Sequence, residues 1–245
     1  NTTGRKLKTQ ELMSLLTDVS GVIAGTEIYS SQVLESAKNL KVISRVGVGI
    51  DNVDLDFCSK HEIKVIATKT DLSFSVAELV ISLSLSFLRN ISHHFMDMQN
   101  LNWERIMGET INGKTIGVVG LGKIGKRLVE LASGFNLTVL AYDIYQDEEF
   151  ATKYSVKYCA MEELLKCSDI ISIHASSGAM NHPIISEAEL KLMKSTALLI
   201  NTSRGSHIDE NALLCALQNK SIGGACLDVF NQEPYQGDLA KQENV

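Results

Sequence analysis

The chain has 245 residues, 44% of them hydrophobic and 21% charged, enough for one large domain or two small ones of ordinary globular composition. A net charge of −6 offers no electrostatic footprint for nucleic acid or an anionic membrane surface, and no apolar run reaches the roughly 18 residues of a spanning helix. Cys58, Cys159, Cys167, Cys215 and Cys226 are odd in number and lack a C-x-x-C pair, which favours reduced thiols in a cytoplasmic setting over a disulfide or metal framework.

The first element, "TQELMSLLTD", reads as a helix, so a strand that ought to precede it is expected to be missing. Strand-like runs "SGVIAG", "LKVISRV" and "IKVIAT" follow, separated by helical patterns near 31–38 and 53–61. A long helix is expected from about Val76; its stretch "AELVISLSLSFL" is short and studded with serines, which fits a core helix. A second series opens at "KTIGVVG", with strands expected at 115–119, 137–142, 169–173, 196–201 and 223–228. Strands alternating with helices predict an α/β protein with parallel sheets. The join is placed in "RNISHHFMDMQNLNWERI", giving domains 1–92 and 93–245.

In "TIGVVGLGKIGKRLVELASGFNLTVLAYD", Gly120, Gly122 and Gly125 form G-x-G-x-x-G between a strand and a helix. The first glycine permits the tight turn, the second lets backbone approach a pyrophosphate, and the third allows close helix packing. Asp143 closes the next strand. Its carboxylate suits ribose hydroxyls and repels a 2′-phosphate, which favours NAD over NADP. A doubly wound domain binding another nucleotide, or none, is the alternative.

"LLINTSRGSHIDE" runs a buried-looking strand into Arg204 and Gly205. Arg204 is either an ordinary surface arginine beside a turn or a guanidinium aimed at a ligand, and the stretch alone leaves both open.

Five segments in this order, "SRVGVGIDNVDL", "VAELVISLSLSFLRN", "GKTIGVVGLGKIGKR", "LLINTSRGSHIDENAL" and "GGACLDVFNQEP", closely resemble the D-isomer-specific 2-hydroxyacid dehydrogenases, and among them the phosphoglycerate dehydrogenase branch. The resemblance covers essentially the whole chain. It implies a flavodoxin-like substrate domain and a Rossmann NAD-binding domain around a cleft, both incomplete at the chain ends. It implies hydride transfer between nicotinamide and C2 of a small 2-hydroxy or 2-oxo acid, with 3-phosphoglycerate and 3-phosphohydroxypyruvate the foremost pair. The same scaffold also serves corepressor-like, NAD(H)-sensing interaction proteins, and motifs alone do not separate the two.

Residue by residue, the resemblance makes Arg204 the catalytic arginine and Glu233 the carboxylate partner of an acid–base histidine. None of the six histidines present stands at that histidine's position, so it is expected beyond Val245. Asp228, Thr68, Thr202 and Ser203 match positions near the nicotinamide, and Lys123 and Ile124 match positions at the phosphates. Arg45, Val48 and Gly49 match the substrate side, with Arg45 suited to a phosphate. Gly47 and Gly49 let backbone N–H groups approach a carboxylate, while Asp51 is placed to cap the following helix. A homodimer is implied, joined through "NISHHFMDMQNLNWERI". Two stretches depart from the family pattern, "HASSGAMNHPII" and Lys69 after Thr68; His174 reads as a strand-end structural or pocket-lining residue rather than a catalyst.

Overall fold

The computed structural model describes residues 5–176 and 182–245, so part of "HASSGAMNHPII" lies outside the described residues. Its contacts divide the chain into two units, Asn1–Leu72 and Ser73–Val245.

In the smaller unit α1 (Thr9–Leu16), β1 (Gly21–Ala24), α2 (Ser31–Glu35), β2 (Val42–Arg45), α3 (Leu55–Lys60) and β3 (Lys64–Ala67) alternate along the chain. The three strands pair in parallel in the order β1-β2-β3. Successive side chains of a strand point to opposite faces. One face sends Ala24 and Ile43 into a core with Leu12, Leu16 and Leu34, while on the other Ile23 is exposed. The N-cap of α3 is Asp54, whose side chain accepts from the Phe57 N–H at 2.9 Å. This corrects the expectation that Asp51 caps that helix: it stands too far ahead of the first free N–H groups.

The larger unit opens with α4 (Ser73–Leu88) and α5 (Ile91–Gln99), then β4 (Thr115–Val119), α6 (Lys123–Ala132) and β5 (Thr138–Tyr142). It continues through α7 (Glu148–Tyr154), β6 (Val156–Tyr158), α8 (Met161–Cys167), β7 (Ile170–Ile173) and α9 (Glu187–Leu190). The last regular elements of the α/β pattern are β8 (Leu198–Asn201), α10 (Glu210–Gln218) and β9 (Gly224–Leu227). All six strands are parallel, in the order β6-β5-β4-β7-β8-β9. That is the order of the doubly wound dinucleotide-binding sheet.

Every residue of β7 and β8 is buried, as parallel strands covered on both faces must be. Ile116, Val118, Ile170, Leu198 and Ile200 face a cluster built with Leu128 and Val129 of α6. Ile171, Ile173 and Leu199 face the opposite cluster, with Leu164 of α8 and Leu213 of α10. Ala77, Val80 and Leu88 of α4 share the cluster of α6, so this helix packs within the larger unit although the sequence reading ran it into the first domain. At the amino-terminal edge, Asp169 accepts from the Thr115 N–H and from Lys194 Nζ, both at 2.8 Å, tying β4, β7 and the approach to β8 together.

Candidate active site

β4 and β7 are sheet neighbours although β5 and β6 intervene in sequence. Chains leaving such a pair depart to opposite sides and open a crevice at the carboxyl ends, where ligands bind in sheets of this kind. The glycine loop occupies that position. Gly120 has φ +95°, and a Cβ there would sit 2.7 Å from the Ala175 nitrogen, so only glycine fits the turn between β4 and the segment after β7. A Cβ on Gly125 would collide with the Gly120 carbonyl, whereas Gly122 has open space in front of it. α6 begins at that opening. Gly122 is its N-cap, no side chain caps it, and its first turn carries no acidic residue. Lys123 is exposed and Ile124 half-buried in that turn, where unpaired N–H groups and the positive end of the helix favour an anion.

Asp143, just past β5, faces the same loop. Its Oδ2 accepts from the Leu121 N–H at 2.6 Å and its Oδ1 from the Tyr145 N–H at 2.9 Å. A carboxylate has about four acceptor positions, so two backbone bonds fix its orientation and leave capacity for hydroxyl donors.

Two strands from β4, β8 delivers Thr202, Ser203 and Arg204. Asn201 is buried; its amide nitrogen donates to the Arg204 carbonyl at 2.8 Å, and its Oδ1 accepts from the N–H and hydroxyl of Ser203 at 3.1 and 2.8 Å. Arg204 is half-buried, with Nη1 donating to the Ser203 carbonyl at 2.7 Å. This is not a side chain trailing into solvent. A Cβ on Gly205 would overlap the backbone of Phe230 and Asn231, so glycine lets the 228–231 segment close against the arginine's own turn. In that segment the Asp228 N–H donates to the Asn201 carbonyl at 3.0 Å, and Glu233 Oε1 accepts from the Phe230 N–H at 3.1 Å. Partial desolvation, joined by the charge of Glu233, holds the Asp228 carboxyl above its ordinary range. Glu233 itself is exposed and precedes a cis peptide bond to Pro234.

Residues 81–245 match the D-isomer specific 2-hydroxyacid dehydrogenase family, NAD binding domain. The chain belongs to that family. It is 37% identical to a glyoxylate reductase of Thermococcus litoralis, over 97% of this chain and 73% of the reductase. It is 36% identical to a D-3-phosphoglycerate dehydrogenase of Methanocaldococcus jannaschii, over 98% of this chain but only 47% of that enzyme. A D-lactate dehydrogenase of Aquifex aeolicus, crystallised with NAD and lactic acid, superposes with a TM-score of 0.85 at 30% identity, over 95% of this chain and 76% of that one. The 2-hydroxyacid dehydrogenases act on CH–OH groups, and NAD is the cofactor of the matched domain.

The residues present fit that cofactor. Besides the open approach at Gly122, the buried polar atoms without a hydrogen-bond partner among the described residues include Thr202 Oγ1 past β8 and His174 Nδ1 past β7. Both stand at carboxyl ends of adjacent central strands, and orphaned groups of this kind mark places where a ligand completes the hydrogen bonding. The other ring nitrogen of His174 meets Ser172 Oγ at 2.9 Å. Burial pushes the imidazole down to about 4, so it is neutral at physiological pH.

The substrate-side residues named from the sequence lie in the smaller unit. Arg45 ends β2; its Nε donates to Asn52 Oδ1 at 3.1 Å, and Nη1 donates to the Val46 carbonyl. The Gly47 N–H, expected to face a carboxylate, donates instead to Thr68 Oγ1 at 3.0 Å. That hydroxyl donates in turn to the Arg45 carbonyl at 3.2 Å. Thr68 therefore braces the turn of its own unit. Val48 is exposed and Gly49 half-buried, and neither N–H has a protein acceptor among the described residues. Asn52, which also donates to the carbonyls of Gly25 and Glu27 at 3.2 and 2.7 Å, went unnoticed in the sequence. The loop-holding bonds of Asn201 and His207 are equally invisible there, because a side chain that holds a loop leaves no periodic signature.

Proposed function

We propose that this chain is part of an NAD-dependent oxidoreductase that interconverts 3-phosphoglycerate and 3-phosphohydroxypyruvate. The observation that carries the reading is Arg204, half-buried and fastened by Asn201 at the carboxyl end of β8, beside the orphaned hydroxyl of Thr202. A guanidinium's planar fork matches a carboxylate, so Arg204 holds the 2-oxo acid in one orientation and stabilises charge that develops on the adjacent carbonyl oxygen. NAD supplies the hydride acceptor. Asp143 engages the ribose hydroxyls, the α6 N-terminus with Lys123 and Ile124 receives the phosphates, and Thr202, Ser203 and Asp228 border the nicotinamide. Glu233 acts as the carboxylate that orients an imidazolium and keeps it basic.

In the smaller unit Val48 and Gly49 offer backbone N–H groups to the substrate carboxylate, and the family resemblance makes Thr68 a contact of the nicotinamide end. The phosphorylated substrate is preferred because of Arg45. Among the described residues two of the guanidinium's five donors are engaged, which leaves donors for a phosphate that glyoxylate does not carry. The working assembly is a homodimer in the cytoplasm. The support for the dimer is an apolar stretch of the larger unit in which Phe95, Met98, Leu101, Trp103 and Met107 are all exposed. The support for the compartment is the five free cysteines.

NADH oxidation by the full-length protein against glyoxylate, pyruvate, hydroxypyruvate and 3-phosphohydroxypyruvate tests the reading. The phosphorylated acid is expected to give the highest kcat/KM, and Arg45→Ala is expected to abolish that preference. A preference for glyoxylate that survives Arg45→Ala overturns the substrate assignment.

A further inference from the structure

We infer that His207 is a positioning residue for Arg204, acting through Ser203 and Asn201; the inference rests on the catalytic reading of Arg204. His207 is buried, three residues past the arginine, in the single 3-10 turn Gly205–His207 that follows it. Its Nδ1 lies 2.8 Å from Ser203 Oγ.

The direction of each bond follows from the others. The Arg204 carbonyl can only accept, so the group of Asn201 facing it at 2.8 Å is the amide nitrogen, and Oδ1 faces Ser203. The Ser203 N–H and O–H both point at that Oδ1. Ser203 has one hydroxyl proton, and it is engaged there. Towards His207 its oxygen can only accept, so Nδ1 carries the hydrogen. The chain of donors therefore runs from His207 Nδ1–H to Ser203 Oγ–H to Asn201 Oδ1, and from Asn201 Nδ2–H to the Arg204 carbonyl. The backbone closes the ring, since the His207 N–H also donates to the Arg204 carbonyl, at 3.1 Å. In a poorly solvated setting each bond of such a ring polarises the next.

The ring also has an anchor outside the turn. The His207 carbonyl accepts from the N–H groups of Ile184 and Ile185 at 2.9 and 3.0 Å, and Ile185 is fully buried in the core beneath. His207 thus connects the packed interior to the arginine's backbone by main chain on one side and imidazole on the other. Arg204 has an extended backbone, φ −142° and ψ 140°, which no helix ladder stabilises. The ring and the Gly205 contact act together on its direction. Losing the imidazole link is expected to misplace the guanidinium by fractions of an ångström, the scale on which oriented catalysis fails.

The test compares His207→Leu, which keeps bulk and removes the donor, with His207→Asn, whose side-chain amide can donate from near the Nδ1 position. Full-length protein is used, with three readouts. His207→Leu is expected to lower kcat/KM for the 2-oxo acid by about tenfold to a hundredfold, with NADH affinity changed by less than about twofold. Oxamate, a 2-oxo acid analogue, should bind the NADH-loaded variant about tenfold more weakly on the same argument. His207→Asn should recover most of both losses. Nitrogen-15 spectra of the imidazole in the wild type should show the hydrogen on Nδ1, and Ser203→Ala should shift that signal. A hydrogen found only on Nε2, or a His207→Leu protein whose kcat/KM and oxamate affinity per folded molecule match the wild type, overturns the inference. If His207→Leu does not fold, Ser203→Ala reads the same link, and unchanged turnover in that variant overturns it equally. Arg204→Lys separates the two levels. Full turnover there sinks the catalytic reading and this inference with it; a crippled Arg204→Lys beside an unaffected His207→Leu sinks the inference alone.

Discussion

The Leu121 N–H and the Asp143 carboxylate are joined by a 2.6 Å hydrogen bond between the glycine loop and the end of β5. The bond puts the carboxylate's charge beside the nucleotide loop and fixes its orientation before any ligand arrives. A 2′-phosphate brought to the ribose position would meet that charge directly, whereas two hydroxyls would donate to it.

Asp143→Ala is therefore expected to weaken NAD binding and improve NADP binding, narrowing the preference by about tenfold to a hundredfold, the range for a hydrogen bond to a charged group. Dissociation constants for both dinucleotides measure it. Wild-type protein that binds NADP as tightly as NAD would show that Asp143 only holds the loop.

For Arg204 the informative change is to lysine, which keeps the charge and loses the fork. Turnover with a 2-oxo acid is expected to fall by about a hundredfold or more, while NAD affinity stays within about twofold of wild type, because the cofactor's own contacts are untouched. Steady-state kinetics and a binding titration on the same preparation decide it. An undiminished kcat/KM would return Arg204 to the role of a structural arginine.

His174 makes folding stability depend on pH. Its folded-state pKa, pushed down to about 4 by burial, lies below the unfolded value of about 6.5. Between those values the unfolded chain binds the proton and the folded chain does not. Stability from this source is complete above about pH 6.5 and is lost as pH falls towards 4, at most roughly 3 kcal/mol. Denaturant midpoints from pH 7 to pH 4 should fall less steeply in His174→Gln than in the wild type. Parallel curves would mean that the ring is hydrated.

Legibility in the sequence followed how local each signal is. The G-x-G-x-x-G loop and Asp143 were readable because turn, helix start and strand end lie within one βαβ unit, and the structure joins them by direct bonds. β6 escaped notice: "VKY" is three residues long at the sheet edge, with Lys157 exposed, so it shows neither length nor alternation. The packing of α4 was hidden because its apolar residues cover most of its circumference, and sequence alone does not say which core they join. Thr68 and His207 were the least legible. The groups they hold are 21 and 4 residues away, and neither link leaves a pattern in the chain.

Assembly gives the last expectation. Leu101 is 94% exposed, Trp103 82% and Met107 90%, within one short stretch that follows α5. Single exposed apolar residues are ordinary, but a run of this kind marks a surface that another surface covers. The commonest closed assembly is a second copy related by a two-fold axis, which pairs the same patch with itself. Wild-type protein is accordingly expected to scatter light as a dimer at micromolar concentration. Trp103→Glu should shift it to monomer, because each interface would bury that new charge twice, once from each copy. NAD affinity should persist in the monomer, since Gly122 and Asp143 lie outside that stretch. A wild type that stays monomeric at those concentrations would remove the dimer from the proposal and leave the stretch to another partner.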